Sequence, residues 1–152
     1  MSDLTFRDAA SDDIAAILSL SDAGRPAGVA LAKSDASDPA YATAFERIAA
    51  DPNNRLIVME REGEVIGTLQ ITIIPGLTKG GLTRGLLENI HVKPDCRGQG
   101  LGSALVDWAI GECKAAGCGL VQLTSDKRRP DAHRFYGRLG FEATHEGFKL
   151  LL

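Results

Sequence analysis

The sequence predicts a mixed α/β fold in which an antiparallel meander leads into a single crossover helix. Two observations support this prediction. The apolar patterns run in the order β, α, α, β, β, β, α, β, α, β, β, and a turn with alternating glycines at residues 98–102 joins a strand to the longest helical pattern. A doubly wound parallel sheet would need strands and helices to alternate throughout, which this order does not do.

The first half of the chain contains two predicted helices between its first strand and the meander. Apolar and polar residues alternate over 4–7, which predicts the first strand. Residues 11–13 are Ser, Asp and Asp, which cap a helix and place acidic charge at the positive end of its dipole. Glycine and proline at 24–26 end that helix, and a second helix is predicted over 39–50.

The remaining elements follow from apolar runs and turn residues. Gly67 stands inside a strand of the meander, which predicts a bulge or a close approach of two backbones. The helix after the glycine turn has a broad apolar face, which predicts packing against the sheet. The predicted elements are strands at 55–60, 65–74, 86–92 and 120–124, a loop at 77–85, helices at 101–116 and 130–139, and a closing β-hairpin that includes Phe141 and residues 146–152.

Length and composition are typical of a globular protein. The 152 residues, 44% of them hydrophobic, suffice for one core, so we expect a single domain over 1–152. The net charge of −3 and the lack of a basic stripe argue against a nucleic-acid partner. No apolar run is long enough to span a membrane, and residues 1–5 are too polar for a signal peptide. Three cysteines without a C-x-x-C pair indicate a reducing compartment, which predicts a cytoplasmic protein.

The turn at residues 97–103 has the features of a site for a phosphate or, most economically, a diphosphate. Its glycines let backbone N–H groups converge without a Cβ in the way. Such groups at a helix N-terminus bind anions, helped by the helix dipole. The alternative is a tight turn that packs closely and binds nothing. The candidate ligand-binding residues of the turn are Arg97, Gly98, Gln99, Gly100, Leu101, Gly102 and Ser103.

Two familiar phosphate motifs fit this turn less well. A P-loop needs Lys followed by Ser or Thr after its last glycine, whereas Gly102 is followed by Ser103 and Ala104. A dinucleotide fingerprint needs Gly or Ala where Ser103 stands. Asp126 follows the next predicted strand and matches the ribose-binding acid in position, so a nucleotide-dependent oxidoreductase stays open as an alternative, although the meander counts against it.

A third motif matches better. The pattern Arg97-x-x-Gly100-x-Gly102, after a strand that ends at Val92, resembles the acyl-CoA signature of the GNAT acetyltransferases. That signature reads Gln or Arg, two residues, Gly, one residue, then Gly or Ala. The segment 132–141 is similar to the family's C-terminal element A-x-x-Φ-Y-x-x-x-G-F. The two motifs stand in the family's order, and the resemblance extends over about residues 55–150.

The resemblance implies a fold and an activity. The GNAT fold has a mixed, mostly antiparallel central sheet of about six to seven strands with about four helices, and it is splayed at two central parallel strands. The implied activity is direct transfer of an acetyl group from acetyl-CoA, the co-substrate, to a primary amine of a small molecule or a peptide. Many relatives dimerise, so a homodimer is compatible with the resemblance. A non-catalytic acyl-CoA-binding or regulatory module on the same fold is the alternative.

The resemblance also implies site residues outside the glycine turn. The free backbone of the splayed strand would bind the pantetheine arm of CoA like an added strand, which assigns cofactor binding to Ile90 and Val92 and allows a bulge at Asn89 or Ile90. Tyr136 occupies the position of the family's tyrosine and is the candidate acid for the leaving thiolate, with a core tyrosine as the alternative. Glu88 is the candidate base, acting through a water, with a surface carboxylate as the alternative.

Other residues near the two motifs have alternative roles or depart from the family's pattern. His91 is a rival base, but strand alternation turns it away from Ile90 and Val92. Seven residues before its tyrosine the family often has an asparagine that contacts the cofactor, and here the residue is Arg129, so that contact does not carry over. The basic run 127–129 is either solvated or meets a CoA phosphate. Cys96 is expected to be a small buried residue, and the histidines lack metal-ligand spacing, so no metal is expected.

Overall fold

The computed structural model describes residues 3–26 and 28–152, and their strands form one mixed sheet. The strands lie side by side in chain order, with antiparallel pairing up to β4 and parallel pairing between β4 and β5. The strands of the described residues are β1 (Leu4–Asp8), β2 (Asn54–Arg61), β3 (Glu64–Ile74), β4 (Arg84–Val92) and β5 (Leu120–Gln122). Met1 and Ser2, which belong to the stretch predicted not to be a signal peptide, lie outside the described residues.

Helices connect the strands at three places. The described α-helices are α1 (Ile14–Ala23), α2 (Pro39–Ala50), α3 (Thr78–Gly81), α4 (Leu101–Ala115) and α5 (Pro130–Arg138), and short 3-10 helices cover Ser11–Asp13 and Pro94–Cys96. α1 and α2 link β1 to β2, and α4 is the crossover that makes β4 and β5 parallel. α3 is a single irregular turn inside the predicted loop 77–85. The predicted class, an antiparallel meander that leads into one crossover helix, is confirmed.

α4 packs on one face of the sheet. Leu105 and Ala109 are completely buried there. The ring of Trp108 stacks on Phe6 of β1, with centroids 5.2 Å apart and an interplanar angle of 8°. The guanidinium of Arg55 lies 5.7 Å from the centroid of the Trp108 ring, a distance at which a cation is attracted to the ring face. These contacts fix the helix that follows the glycine turn against the first two strands.

Gly67 fulfils both of its predicted roles. The β2–β3 register passes from the Met59–Gly67 pair to the Glu60–Val65 pair, so β3 carries one extra residue beside Gly67. A Cβ on Gly67 would lie 3.3 Å from the backbone oxygen of His91, 2.7 Å from Cε of Met59 and 3.4 Å from Cδ2 of Leu105 in α4. A bulge and a close approach therefore coincide at Gly67. This residue lies on the face of the sheet that α4 covers.

α1 lies on the opposite face. The ring of His91 approaches the end of α1 so closely that a Cβ on Gly24 would lie 2.1 Å from its Nδ1. Arg7 of β1 fixes the start of α1, because its guanidinium donates to both oxygens of Asp13, at 2.7 and 3.0 Å, and to Glu60 at 2.5 Å. The pKa of the buried Asp13 carboxyl is lowered by the hydrogen bond from Arg7.

The C-terminal segment differs from the prediction of a closing hairpin. Residues 139–152 are all described, and none of them is in a strand. Phe148 and Leu150 are 93% and 85% exposed. Alternating apolar residues indicate that one face of a segment can be buried, but they do not show that a partner strand is present. Without a partner strand, the backbone N–H and C=O groups cannot form the hydrogen bonds of a sheet. The sheet of the described residues therefore has five strands rather than six to seven, and its parallel pair lies at one edge rather than at the centre.

The chain divides into two compact units, residues 1–122 and 123–152. In the first unit, the structure describes residues 3–26 and 28–122. The first unit contains the whole sheet and α1 to α4, and the second contains α5. In the described part of the chain, no helix has the length and apolar character needed to cross a bilayer. The single domain and the cytoplasmic location remain predictions.

Candidate functional site

The glycine turn has the open backbone that the sequence predicts. Gly98 and Gly100 have φ angles of 76° and 75°, in the left-handed region that favours glycine. A Cβ built on either residue would meet no atom within 4 Å. The main chain of the turn therefore faces open space, which is the geometry in which an anion reaches backbone N–H groups directly.

The first turn of α4 adds further donors. Gly100 is the N-cap, and a bond of 3.1 Å from the Ala104 N–H to the Gly100 carbonyl opens the helical ladder. The N–H groups of Leu101, Gly102 and Ser103 precede this bond and have no acceptor within the helix. The side chain of Leu101 is buried, so this residue offers a ligand only its backbone. Together with the helix dipole, these amides suit a diphosphate.

Side chains fix the turn from two directions. Nε of Arg97 donates to the carbonyl of Val92 at 3.3 Å, which ties the turn to the end of β4. Nη1 of Arg61 donates to Oε1 of Gln99 at 2.9 Å, and its Nη2 lies 3.3 Å from Sγ of Cys96. Cys96 is buried, as predicted. Arg61 is absent from the predicted site residues, because it lies at the end of β2 and belongs to no motif around the turn.

β4 carries a bulge at the predicted place. The β3–β4 register passes from the Gln70–Glu88 pair to the Thr68–His91 pair, so two residues of β4 lie opposite one residue of β3. The first of these two residues is Asn89, whose φ of 52° is in the left-handed region. Asparagine tolerates this region better than most residues. The bulge at Asn89 or Ile90 is therefore confirmed.

The parallel ladder between β4 and β5 ends early. It contains the pairs Arg84–Leu120, Gly85–Val121 and Leu86–Gln122. β4 continues to Val92, and in the described chain its residues 87–92 have no pairing partner in β5. This unpaired stretch contains Ile90 and Val92, and the splaying of the two parallel strands stays a prediction.

The bulge brings Glu88 and His91 to the same face of the sheet. Residues three apart in a regular strand point to opposite faces. Here they pair with Gln70 and Thr68, which are two apart and share a face. His91 points away from Val92, as predicted, but it points to the side of Glu88, which regular alternation does not predict. Glu88 itself is exposed, and both side chains are on the face that carries α1.

Tyr136 lies in α5, in the unit of residues 123–152. Its ring makes edge-on contacts with Phe135 and Phe141, with centroids 5.1 and 5.9 Å apart. Burial raises the pKa of the Tyr136 phenol, while the charge of Arg129 acts in the opposite direction. A raised pKa keeps the phenol protonated near neutral pH, which an acid for a thiolate requires. The ring contacts equally fit the alternative of a core tyrosine.

The basic run before α5 is partly paired within its own unit. Lys127 lies 3.6 Å from a carboxylate oxygen of Glu146. Arg128 donates to both oxygens of Asp126, at 3.0 and 2.7 Å, and holds the pKa of that carboxyl well below its usual range. Both carboxylate oxygens of Asp126 thus accept hydrogen bonds from Arg128. This pairing counts against the alternative in which Asp126 binds the ribose of a nucleotide.

Comparison with known proteins identifies the family. The model of the acetyltransferase (GNAT) family matches residues 17–141. The chain belongs to the GNAT family. An aminoalkylphosphonate N-acetyltransferase from Salmonella typhimurium strain LT2 is 34% identical to it over 118 residues, which cover 78% of this chain and 76% of that protein. A glucosamine 6-phosphate N-acetyltransferase from Trypanosoma brucei brucei is 36% identical over 89 residues, which cover 58% of each chain.

A solved structure shares the fold over nearly the whole chain. A crystal structure described as a transcriptional regulator from Bacillus halodurans C-125 is 40% identical, with a TM-score of 0.87, and covers 99% of this GNAT chain and 100% of that chain. The predictions of a GNAT fold and of an N-acetyltransferase are therefore confirmed. The alternative of a nucleotide-dependent oxidoreductase is excluded, because the chain belongs to an acetyltransferase family. Structures of GNAT homologues hold CoA or acetyl-CoA. Among the residues that the structure describes, no cluster of His, Cys, Asp or Glu is arranged to hold a metal ion.

Proposed function

We propose that this GNAT chain transfers an acetyl group from acetyl-CoA directly to the primary amine of a small molecule that carries a phosphonate or phosphate group. The observation that carries the proposal is the open turn at the start of α4, where a Cβ on Gly98 or Gly100 would meet nothing and the adjacent amides are available. The acceptor class is supported by the two relatives named for an aminoalkylphosphonate and for glucosamine 6-phosphate.

Acetyl-CoA supplies an activated acetyl thioester when it is bound. In this proposal the N–H groups of residues 98–103 donate to its diphosphate, and Arg97 adds positive charge. The backbone of β4 at Ile90 and Val92, which has no partner in β5, pairs with the pantetheine arm. An amide close to Val92 is then placed where negative charge develops on the thioester carbonyl.

Proton transfer is assigned to the side chains that the resemblance to the family identifies. Glu88 takes the proton of the attacking amine through a water, which its exposure permits. His91 is the second candidate for this role, because the bulge places it on the same face as Glu88. Tyr136 protonates the leaving thiolate, and its raised pKa keeps that proton in place until it is needed.

A shallow depression supports the acceptor side of the proposal. Its volume is about 300 Å³, and it is lined by residues of α2 and of the sheet: Ala44, Arg47, Ile48, Asp51, Asn54 and Gln70. Gln70 pairs with Glu88 in the β3–β4 register, so the depression lies beside the proposed base. Arg47 is exposed and makes no ion pair with the described residues. A free guanidinium at this place suits the anionic group of the acceptor.

The experiment follows free thiol release from acetyl-CoA in the presence of single amines. The panel contains an aminoalkylphosphonate, the corresponding amine without the phosphonate, glucosamine 6-phosphate and a peptide with a free N-terminus. We expect amine-dependent thiol release with the highest kcat/KM for the phosphonate or phosphate compounds. A peptide as the best acceptor would contradict the acceptor class. CoA binding without any amine-dependent release would favour the non-catalytic module.

A further inference from the structure

Arg61 reaches the glycine turn from outside the motif. It is the last residue of β2, 38 positions before Gln99 and 35 positions before Cys96. Its guanidinium donates through Nη1 to Oε1 of Gln99 at 2.9 Å and through Nη2 to Sγ of Cys96 at 3.3 Å. Gln99 lies between Gly98 and Gly100, so the charge of Arg61 is held beside the two open glycines.

The charge of Arg61 is not neutralised by a carboxylate in the described chain. The arginines on the first two strands behave differently, since Arg7 and Arg55 each form ion pairs. The two acceptors of Arg61 are a neutral amide oxygen and a thiol sulfur, although glutamates occupy positions 60, 62 and 64 around it. A guanidinium has five N–H donors in a planar fork, so Arg61 has donors left for a further acceptor.

We propose that Arg61 is a second cationic ligand for the CoA diphosphate, acting beside the amides of the glycine turn. The inference rests on the proposed function, because it concerns the same cofactor site. Backbone amides offer only partial charges, while a guanidinium offers a full charge and paired donors that match phosphate oxygens. The bonds to Gln99 and Cys96 orient the fork in advance, which reduces the side-chain entropy lost when the diphosphate binds.

The test compares Arg61→Gln and Arg61→Lys with Lys114→Gln. Lys114 is exposed near the C-terminal end of α4, far along the helix from the turn, so its substitution makes the same change in net charge at a remote place. CoA and pantetheine, which lacks the phosphates, are the probes, and their dissociation constants are measured by calorimetry at low and high salt.

We expect Arg61→Gln to weaken CoA binding by about 10- to 100-fold, the range for a lost charge-assisted hydrogen bond, and to leave pantetheine binding unchanged. The salt dependence of CoA affinity should become shallower, because one screened charge pair is gone. Arg61→Lys should retain part of the affinity, and Lys114→Gln should bind both probes like the wild type.

The inference and the proposed function fail in different ways. If the wild type does not bind CoA, the proposed function is wrong. If the wild type binds CoA and Arg61→Gln binds it equally well, only the role of Arg61 is overturned. The role is also overturned if the Gln and Lys variants lose the same affinity with an unchanged salt dependence, because Arg61 would then only order the turn.

Discussion

A matched pair of substitutions at Gly100 tests the diphosphate site most directly. Gly100→Glu and Gly100→Gln have side chains of nearly the same size and differ by one negative charge. The position is open, so neither side chain is forced into the protein by its Cβ. Because Gly100 is the N-cap of α4, the charge of Glu would lie beside the first amides of the helix and beside the proposed diphosphate.

The two effects of this charge have opposite signs. Both variants should lose about 1–2 kcal/mol of unfolding free energy, because a residue with a Cβ must adopt the left-handed conformation at a φ of 75°. In the empty protein Glu should be more stable than Gln by about 0.3–1 kcal/mol, since an anion at a helix N-terminus is favourable. In the complex each phosphate charge at about 5 Å should cost Glu about 0.8 kcal/mol in a water-like dielectric. Two such charges cost about 1.6 kcal/mol, which corresponds to about 15-fold weaker CoA binding than in the Gln variant.

Thermal unfolding of the empty proteins and calorimetric titration with CoA measure the two effects separately. We expect the Glu variant to unfold at the higher temperature of the two and to bind CoA with the lower affinity. Pantetheine should bind both variants equally, because it has no phosphate. Equal CoA affinities for Glu and Gln would refute the reasoning, since the diphosphate would then lie away from Gly100.

Three further substitutions test the proposed chemistry and the support of α1. Tyr136→Phe should keep the ring contacts and lower kcat by about 100-fold or more while the Kd for CoA stays unchanged; an unchanged kcat in the thiol-release assay would remove Tyr136 from the mechanism. Glu88→Gln should lower kcat at least about tenfold without changing the melting temperature, because the side chain is exposed; a normal rate would leave His91 as the base. Asp13→Asn should lower the unfolding free energy at pH 7 by about 1.5–3 kcal/mol, the range for hydrogen bonds to charged groups. Because the pKa of Asp13 is lower in the folded state than its unfolded value of about 4, this difference should be complete above that value and disappear as the pH falls through the folded pKa. Denaturant unfolding at pH 7 and pH 3 measures it, and an equal difference at both values would show that the carboxylate charge is not its cause.

The elements with local signals could be predicted from the sequence. The end of β4 and the start of α4 could be predicted from the proline and the glycines of the turn between them. The observed α4 ends within one residue of the predicted end. Gly67 indicates a bulge because glycine weakens a regular strand and is therefore typical of bulges and of close backbone contacts. The bulge at Asn89 followed from the family resemblance, since no residue pattern around it breaks the alternation.

The parts that depend on long-range pairing could not be predicted. Arg61 meets the turn only because β2 ends beside it, and no spacing in the sequence encodes that meeting. The common face of Glu88 and His91 depends on where the register shifts. The C-terminal residues have a suitable apolar pattern, but a pattern of this kind cannot show whether a neighbouring strand is present.

The chain has one tryptophan, and its position makes it a natural optical probe. Trp108 lies in the middle of α4 and its indole is covered by Phe6 from the first strand, with the Arg55 cation nearby. Its emission should therefore change when the N-terminal strand detaches from the helix, even if the rest of the sheet stays intact. Stopped-flow fluorescence of the unmodified protein can thus report how early in refolding β1 packs against α4, two elements that are about 100 residues apart in the sequence.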